Sequence, residues 1–497
     1  MADALESDRG SGVKRRRTDG QDGEGEPEEE DLISLLPDDM LREIVSRLPL
    51  RYGIRTQVVC KRWRNCWKER RQKMSCKYEI LPRVHPSPSA VVEEMQDLAR
   101  QRRLIEYLSV VIHTTTVQIE QFRVILRCTA DCAVENLHID LSNRSPTRPL
   151  RLHFPLLSRN LARLSLCATT MSNLYFMDAR PFPELAAIYL HSVTVSTRIF
   201  DIILALCPSL RVLDLRKCSR LDAIAITSRG PNLTSLTIAD CDGVTMVNVL
   251  LVSSLRSICY SGRFLPSPFN LPPASCTNLY LSYQYSGLIL PKLFDQWVEN
   301  TAVYLSNETI AINITNFTIC SNALRTINFS KDHRESSRIH KSVNLPRLTE
   351  LRLLMFEMKA ENLSSIYLFL KIFRCPNLSR LFVQFPKFGH EPFQENLLDR
   401  VTEEWLEDGL DNLTVVRIMN FNWHRIKVQL LIFLLRNARN IRTLQLVSPS
   451  AVPLNVSGIE QEDLSPIREA FANDIIILRQ FEDGSSSTKP FHSEMSP

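Results

Sequence analysis

Two stretches of this chain carry the same line of side chains. Leu210-x-x-Leu213-x-Leu215-x-x-Cys218 recurs as Leu233-x-x-Leu236-x-Ile238-x-x-Cys241, and looser copies begin at Leu161, Leu185, Leu255, Leu324, Leu348, Leu378, Leu413 and Ile441. The copies at 161, 185, 210 and 233 start 24, 25 and 23 residues apart. A unit that short cannot bury its own apolar face, so neighbouring units must stack and share one core. Leu213 and Leu215 alternate with Asp214 and Arg216, which is the period of a strand, and the rest of each unit has room for a helical or irregular return.

The period and the pattern are those of leucine-rich repeats, an α/β solenoid with a parallel sheet on its concave face. The repeat leucines are expected to point inward. The small thiols of Cys218 and Cys241 should turn inward at the strand ends, and Pro208 and Pro231 should stop the preceding returns. Residues between the leucines then face the concave side: Arg163, Tyr189, His191, Asp214, Arg216, Thr237, Asp240, Tyr280, Glu350, Arg352, Arg380 and Arg417. Aromatic and Arg positions commonly anchor protein interfaces. Tyr189, His191, Asp214, Arg216, Tyr280, Arg352 and Arg380 are therefore the candidate target contacts. Asp214 and Arg216 are expected to be exposed, so that their loss would leave stability nearly unchanged. Past residue 255 the copies are irregular, with some gaps of 30 or more, which predicts a distorted or interrupted array.

Other segments differ in character. Residues 1–30 are charged, with a basic cluster Lys14-Arg15-Arg16-Arg17 and an acidic run ending Glu28-Glu29-Glu30. They hold too little apolar surface to fold alone and read as a disordered leader, whose basic cluster is a candidate nuclear import signal. From 31 to 75 the pattern becomes helical. Met40, Leu41, Ile44, Val45 and Leu48 have the spacing of one helix that starts near Pro37 and stops at Pro49. A second short helix is expected around Ile54 to Val59. A third is expected around Lys61 to Arg71, with Trp63 and Trp67 one turn apart. Residues 76–100 read as a connector, because Pro82, Pro86 and Pro88 oppose regular structure. The solenoid is expected over 101–400, terminal repeats and a cap over 401–480, and a disordered tail over 481–497.

The segment 31–67 resembles an F-box. The residues that carry the likeness are Leu36-Pro37-Asp38, Leu41, Ile44, Leu48-Pro49, Arg55-Thr56 and Val59-Cys60-Lys61-Arg62-Trp63-Arg64. Together with Cys207-Pro208-Ser209-Leu210 and Cys375-Pro376-Asn377-Leu378, the arrangement looks like the plant F-box/leucine-rich-repeat class. The stretch from Leu413 to Leu446 is similar to the FBD segment that ends many of those proteins. The resemblance implies binding to a Skp-type adaptor and, through it, to a cullin and a RING subunit, with the repeats holding an unknown target protein for ubiquitination. It also implies that the adaptor is met by Leu36, Pro37, Leu41, Ile44, Leu48, Pro49, Val59, Cys60 and Trp63. Two other readings stay open: a binding scaffold outside degradation, and a receptor whose small ligand completes the target site.

Composition narrows the alternatives. Net charge is +5 and spread along the chain, without the basic stripe that nucleic-acid binding asks for. The N-terminus opens with no apolar run and the longest apolar stretches are too short to cross a bilayer, so no membrane partner is expected. The thirteen cysteines form no C-x-x-C pair, and Cys128 and Cys132 read as core thiols. The ten histidines lie off metal-ligand spacing and Gly is scarce at 14, so no metal, cofactor or catalytic group is expected. A nuclear or cytoplasmic, non-catalytic adaptor subunit is the resulting expectation.

Overall fold

The structure is a computed structural model. It describes residues 36–47, 61–82, 86–142, 150–154, 157–171, 180–226, 232–263, 265, 269–270, 275–283, 313–324, 343–357, 360–386, 410–449 and 465–479. The expected leader, the second helix near 54–59 and the tail lie outside the described residues. The chain divides into two units, Met1–Gln72 and Lys73–Pro497.

In the first unit, helices α1 (Asp38–Arg47) and α2 (Lys61–Gln72) pack on each other. Asp38 and Asp39 lie in the first turn of α1, where the helix dipole favours negative charge. The Pro37 carbonyl accepts from the Met40 and Leu41 amides, both at 3.1 Å, so the helix begins where the proline sets it. Leu41, Trp63 and Cys66 make a small buried core, with Leu36 against it.

The second unit is built on one parallel sheet. Its strands lie side by side in chain order: β1 (Met74–Ile80), β2 (Ile105–Ile112), β3 (Asn136–Asp140), β4 (Arg163–Cys167), β5 (Ala187–His191), β6 (Val212–Arg216), β7 (Ser235–Ala239), β8 (Ser257–Gly262), β9 (Asn278–Tyr283), β10 (Asn316–Cys320), β11 (Glu350–Leu354), β12 (Arg380–Gln384), β13 (Val415–Met419), β14 (Thr443–Val447) and β15 (Ile476–Arg479). The repeat leucines are aligned: Leu213 pairs with Ile188 and Leu236, and Leu215 with Leu190 and Ile238. All six are buried, and they belong to one core that runs through the unit. Cys218 and Cys241 are buried as expected, and their thiols meet the Leu190 and Leu215 carbonyls at 3.6 Å. Returns are helical in α3 (Pro88–Arg100), α4 (Ile119–Asp131), α5 (Thr197–Leu206), α6 (Ala360–Ile372), α7 (Arg425–Asn437) and α8 (Ser465–Ala472). Between β6 and β9 the returns carry a minor three-stranded sheet over Ala223–Ala225, Met246–Asn248 and Phe269–Asn270.

Three expectations need correction. The span 76–100 is not a connector, since β1 pairs with β2 and α3 packs Val91 and Met95 into the core. Its prolines start the helix rather than forbid it: Pro88 is at the first helical position, and Ser87 Oγ accepts from the Ala90 amide at 3.2 Å. The copy at Leu324 is not a repeat start, because Leu324 lies in the helical residues 321–324 directly after β10. The true starts there are Cys276 and Ile314, and an earlier one is Val134; Cys, Ile and Val fill the leucine position. Finally, the array past 255 is not interrupted, since β8 to β15 continue in unbroken parallel pairing while the returns lengthen.

Polar groups align the coils as regularly as the leucines do. Ala168, Ser192, Lys217, Asp240 and Asn420 each stand seven residues after a repeat start with φ of 51°, 55°, 50°, 54° and 57°, turning the chain out of its strand in the left-handed region. The first four donate their amides to the next coil at 2.7–2.8 Å, which holds a conformation that costs a residue with a Cβ about 1–2 kcal/mol. At the strand entries, the hydroxyls of Thr234, Thr277, Thr315, Thr349, Ser379 and Thr414 each donate to a carbonyl of the preceding coil at 3.1–3.2 Å. Asn377, Asn412 and Asn440 add side-chain donors to the preceding coil at 2.6–2.7 Å.

Candidate interaction surfaces

The helix pair keeps some of its apolar side chains for itself and offers others. Leu41 and Trp63, expected to touch the adaptor, are instead buried within the unit, because two short helices have little else to form a core from. Arg62 ties the pair together: its Nε and Nη2 donate to Asp38 Oδ1 at 3.0 and 2.6 Å, and Nη2 donates to the Leu36 carbonyl at 2.6 Å. On the outer side Pro37 is exposed, Ile44 is 37% exposed and Met40 is 55% exposed. Met40 was absent from the expected adaptor contacts, although its place one turn before Ile44 was a readable signal. Large apolar side chains left in solvent this close together mark a contact surface. Leu48, Pro49, Val59, Cys60 and the Trp67 side chain lie outside the described residues.

A second surface is the face of the sheet that points away from the core. Strand register places His138, Ser165, Tyr189, Asp214, Thr237, Cys259, Tyr280, Thr318, Arg352, Phe382 and Arg417 in one row across adjacent strands. His191 and Arg216 stand in the row two residues on, and Arg163, Glu350 and Arg380 in the row two residues back. The structure thus gathers on one face the residues expected to stand between the repeat leucines. Asp240 is the exception, since it occupies a left-handed corner beyond β7. His138, Cys259 and Phe382 were missed; each occupies a strand position between core residues, which is the signal that would have found them.

Two groups dominate this face. At its centre Arg216 Nε and Nη2 meet the two carboxylate oxygens of Asp214, both at 2.8 Å. That bidentate pair raises the Arg216 pKa further above its ordinary value. His191 beside it is pushed down by burial and by Lys217 and Arg216, and burial lowers His138, which hydrogen bonds Ser165 at 2.9 Å. Burial pushes the Cys259 thiol up to about 12. The second group lies on β11 to β13, where Glu350 Oε1 accepts from Arg352 Nε at 2.6 Å and its Oε2 is 3.2 Å from Arg380 Nη2.

The expectation that Asp214 and Arg216 are exposed is overturned: their side chains are only 14% and 19% exposed, because the neighbouring strands crowd them. Removing one of them takes the nearest opposite charge from a mostly buried group, which costs more than losing both. Asp214→Ala is expected to destabilise by about 1–3 kcal/mol, and the Asp214→Ala/Arg216→Ala double variant by less than the two single losses together. Denaturant unfolding of the four proteins measures the coupling, and a thermally silent Asp214→Ala would refute it.

Among the described residues no group of His, Cys, Asp or Glu could hold a metal ion, and no helix is long and apolar enough to cross a membrane. Cys128 and Cys132 are buried free thiols, and burial raises Cys132 to about 11.

Known families match a stretch of each unit. The F-box domain family matches residues 33–74, the helix pair and the start of β1. The family of leucine-rich repeats of FBD-associated F-box protein At5g56370 matches residues 122–266, from α4 past β8. The F-box/LRR-repeat protein At3g03360 of Arabidopsis thaliana is 27% identical over 227 residues, 40% of this chain and 43% of that protein. F-box/LRR-repeat protein At5g54820 of the same plant is 22% identical over 444 residues, 82% of this chain and 89% of that protein. A stretch of 67 residues is 43% identical to FBD-associated F-box protein At3g60710, also of Arabidopsis thaliana, covering 13% of this chain and 21% of that protein. The chain carries an F-box followed by leucine-rich repeats of the FBD-associated kind, the architecture of the plant F-box/leucine-rich-repeat proteins.

Proposed function

We propose that this chain is the substrate-recognition subunit of a Skp–cullin–F-box ubiquitin ligase and is itself non-catalytic. The F-box would dock a Skp-type adaptor, and the sheet face would hold a target protein beside the ubiquitin-conjugating enzyme, so that the gain comes from proximity alone. The observation that carries this reading is the F-box match on a helix pair whose Leu41, Trp63 and Cys66 form a core while Pro37, Met40 and Ile44 stay exposed. The test is capture of a purified Skp-type adaptor. Met40→Asp with Ile44→Asp is expected to weaken capture at least about tenfold, the scale of a lost apolar anchor, and to spare the melting of the repeats. Undiminished capture by a folded double variant would end the proposal.

For compartment, the basic cluster Lys14, Arg15, Arg16 and Arg17 supports a nuclear pool beside a cytoplasmic one. Replacing all four with alanine should move a fluorescent fusion towards the cytoplasm, and an unchanged distribution would remove the nuclear assignment.

A further inference from the structure

The outward positions of β11, β12 and β13 carry three guanidinium groups and one carboxylate. Glu350, only 10% exposed, answers Arg352 and Arg380, whose side chains are 47% and 50% exposed. The Arg352 guanidinium also lies 5.3 Å from the centre of the Phe382 ring, a cation–π contact that holds it in place. Arg417, in the same row two strands from Arg352, has its Nε shielded from solvent with no hydrogen-bond partner. A guanidinium N–H that is both dehydrated and unpaired is costly, and an anion nearby lowers that cost. The centre of the sheet differs, because there Asp214 matches Arg216 with both carboxylate oxygens. Among the described residues the β11–β13 face is left with an excess of two positive charges.

We propose that this face docks an extended acidic peptide segment of the target protein, carrying two carboxylates three residues apart. The proposal rests on the reading of the sheet as the target surface and adds the chemistry of what it takes. Spacing selects the peptide. Strands lie about 4.8 Å apart, so Arg352 and Arg417 are separated by about 10 Å across two strand steps. In a polyproline-II peptide, side chains three residues apart share one face at about 9 Å. Each carboxylate then meets one guanidinium, which is the geometry Arg recognises best.

The experiment measures fluorescence anisotropy of a labelled ten-residue peptide with two aspartates three residues apart, titrated with the full chain. Wild type is expected to bind, with affinity falling as salt rises. Arg352→Gln and Arg417→Gln should each weaken binding about tenfold, the effect of removing one anchor. A thermal melt of each variant checks that it is folded, and Arg352→Gln, at a half-exposed position, tests the idea even if Arg417→Gln fails to fold. The same peptide with asparagines in place of aspartates should not bind. Equal binding of the asparagine peptide, unchanged binding by a folded Arg352→Gln, or equal capture of a single-stranded RNA of similar length would each overturn the proposal. Binding only by a serine-phosphorylated peptide would overturn it too. Adaptor capture measured on the same proteins separates the two readings: lost capture with intact peptide binding counts against the ligase role alone, and the reverse counts against the acidic segment alone.

Discussion

Leu213→Ala and Leu215→Ala are each expected to lower the unfolding free energy by about 2–5 kcal/mol, a large share of what holds a domain folded. Both side chains are essentially buried, at 1% and 0% exposure. Each is paired across both neighbouring strands, so truncation removes contacts in three coils at once. Leu213 already borders a small gap lined by Leu190, Phe200 and Ile203. Alanine there would enlarge the gap, and the helix α5 that covers it is held by its other buried residues and cannot follow fully. In a stacked array the loss weakens both interfaces of the coil. Urea unfolding gives the number. A Leu213→Ala protein that melts with wild type would mean that this strand does not face the core as described.

The second large effect is one of pH. Between about pH 8 and pH 10 the wild-type protein is expected to gain stability relative to Lys427→Met, by about 3 kcal/mol at most for a shift of this size. Lys427 is only 4% exposed, and burial lowers its pKa from 10.5 to about 8. Its Nζ donates to the Asn420 carbonyl at 2.6 Å and lies 5.1 Å from the centre of the Phe385 ring, contacts that offset part of the cost of burying it. Below about pH 8 both folded and unfolded chains hold the proton, so the cost of a buried charge is fully present. From there up to about 10.5 the unfolded chain holds the proton more tightly than the folded one, and stability therefore rises with pH. The methionine variant has no such proton, and the neighbour whose titration Lys427 shifts, His424, is lowered, first by burial, from an ordinary value that already lies below this window. A difference in melting temperature between the two proteins that stays flat from pH 7 to pH 10 would mean that Lys427 is not buried as a titrating amine.

The repeat was legible because its strands obey a strict alternation, and a leucine every second residue on a strand has few other uses. Strands β4 to β8 and β11 to β14 could be placed from that signal alone. The pattern blurred where Val134, Cys276 and Ile314 replace the leading leucine, since the core accepts any apolar side chain of suitable volume. It misled at Leu324, where a buried leucine sits on a helical turn rather than at a strand entry. The prolines near 82–88 pointed to a break, because proline opens helices as readily as it stops them, and only the following helix decides which. For the interaction surfaces, the face of each strand residue followed from period two. What no local pattern contains is how closely neighbouring strands crowd a side chain, and that is why Asp214 and Arg216 were expected in solvent. In the F-box the apolar set was readable, but its division into core and contact surface depends on how α1 meets α2.

The hydroxyls at the strand entries point one way: every one donates towards the N-terminal neighbour and sits on a backbone whose own carbonyl serves the next coil. Such a staircase has a tread and a riser of fixed kind, so any two steps join regardless of how much chain loops out between them. A coil could be excised or duplicated with its polar rungs still matched, whereas a coil set in backwards, or slipped by one residue, would leave its hydroxyl facing no acceptor. Length can therefore drift in the returns, and whole steps can be gained or lost, while the spacing of the side chains that a target meets stays constant.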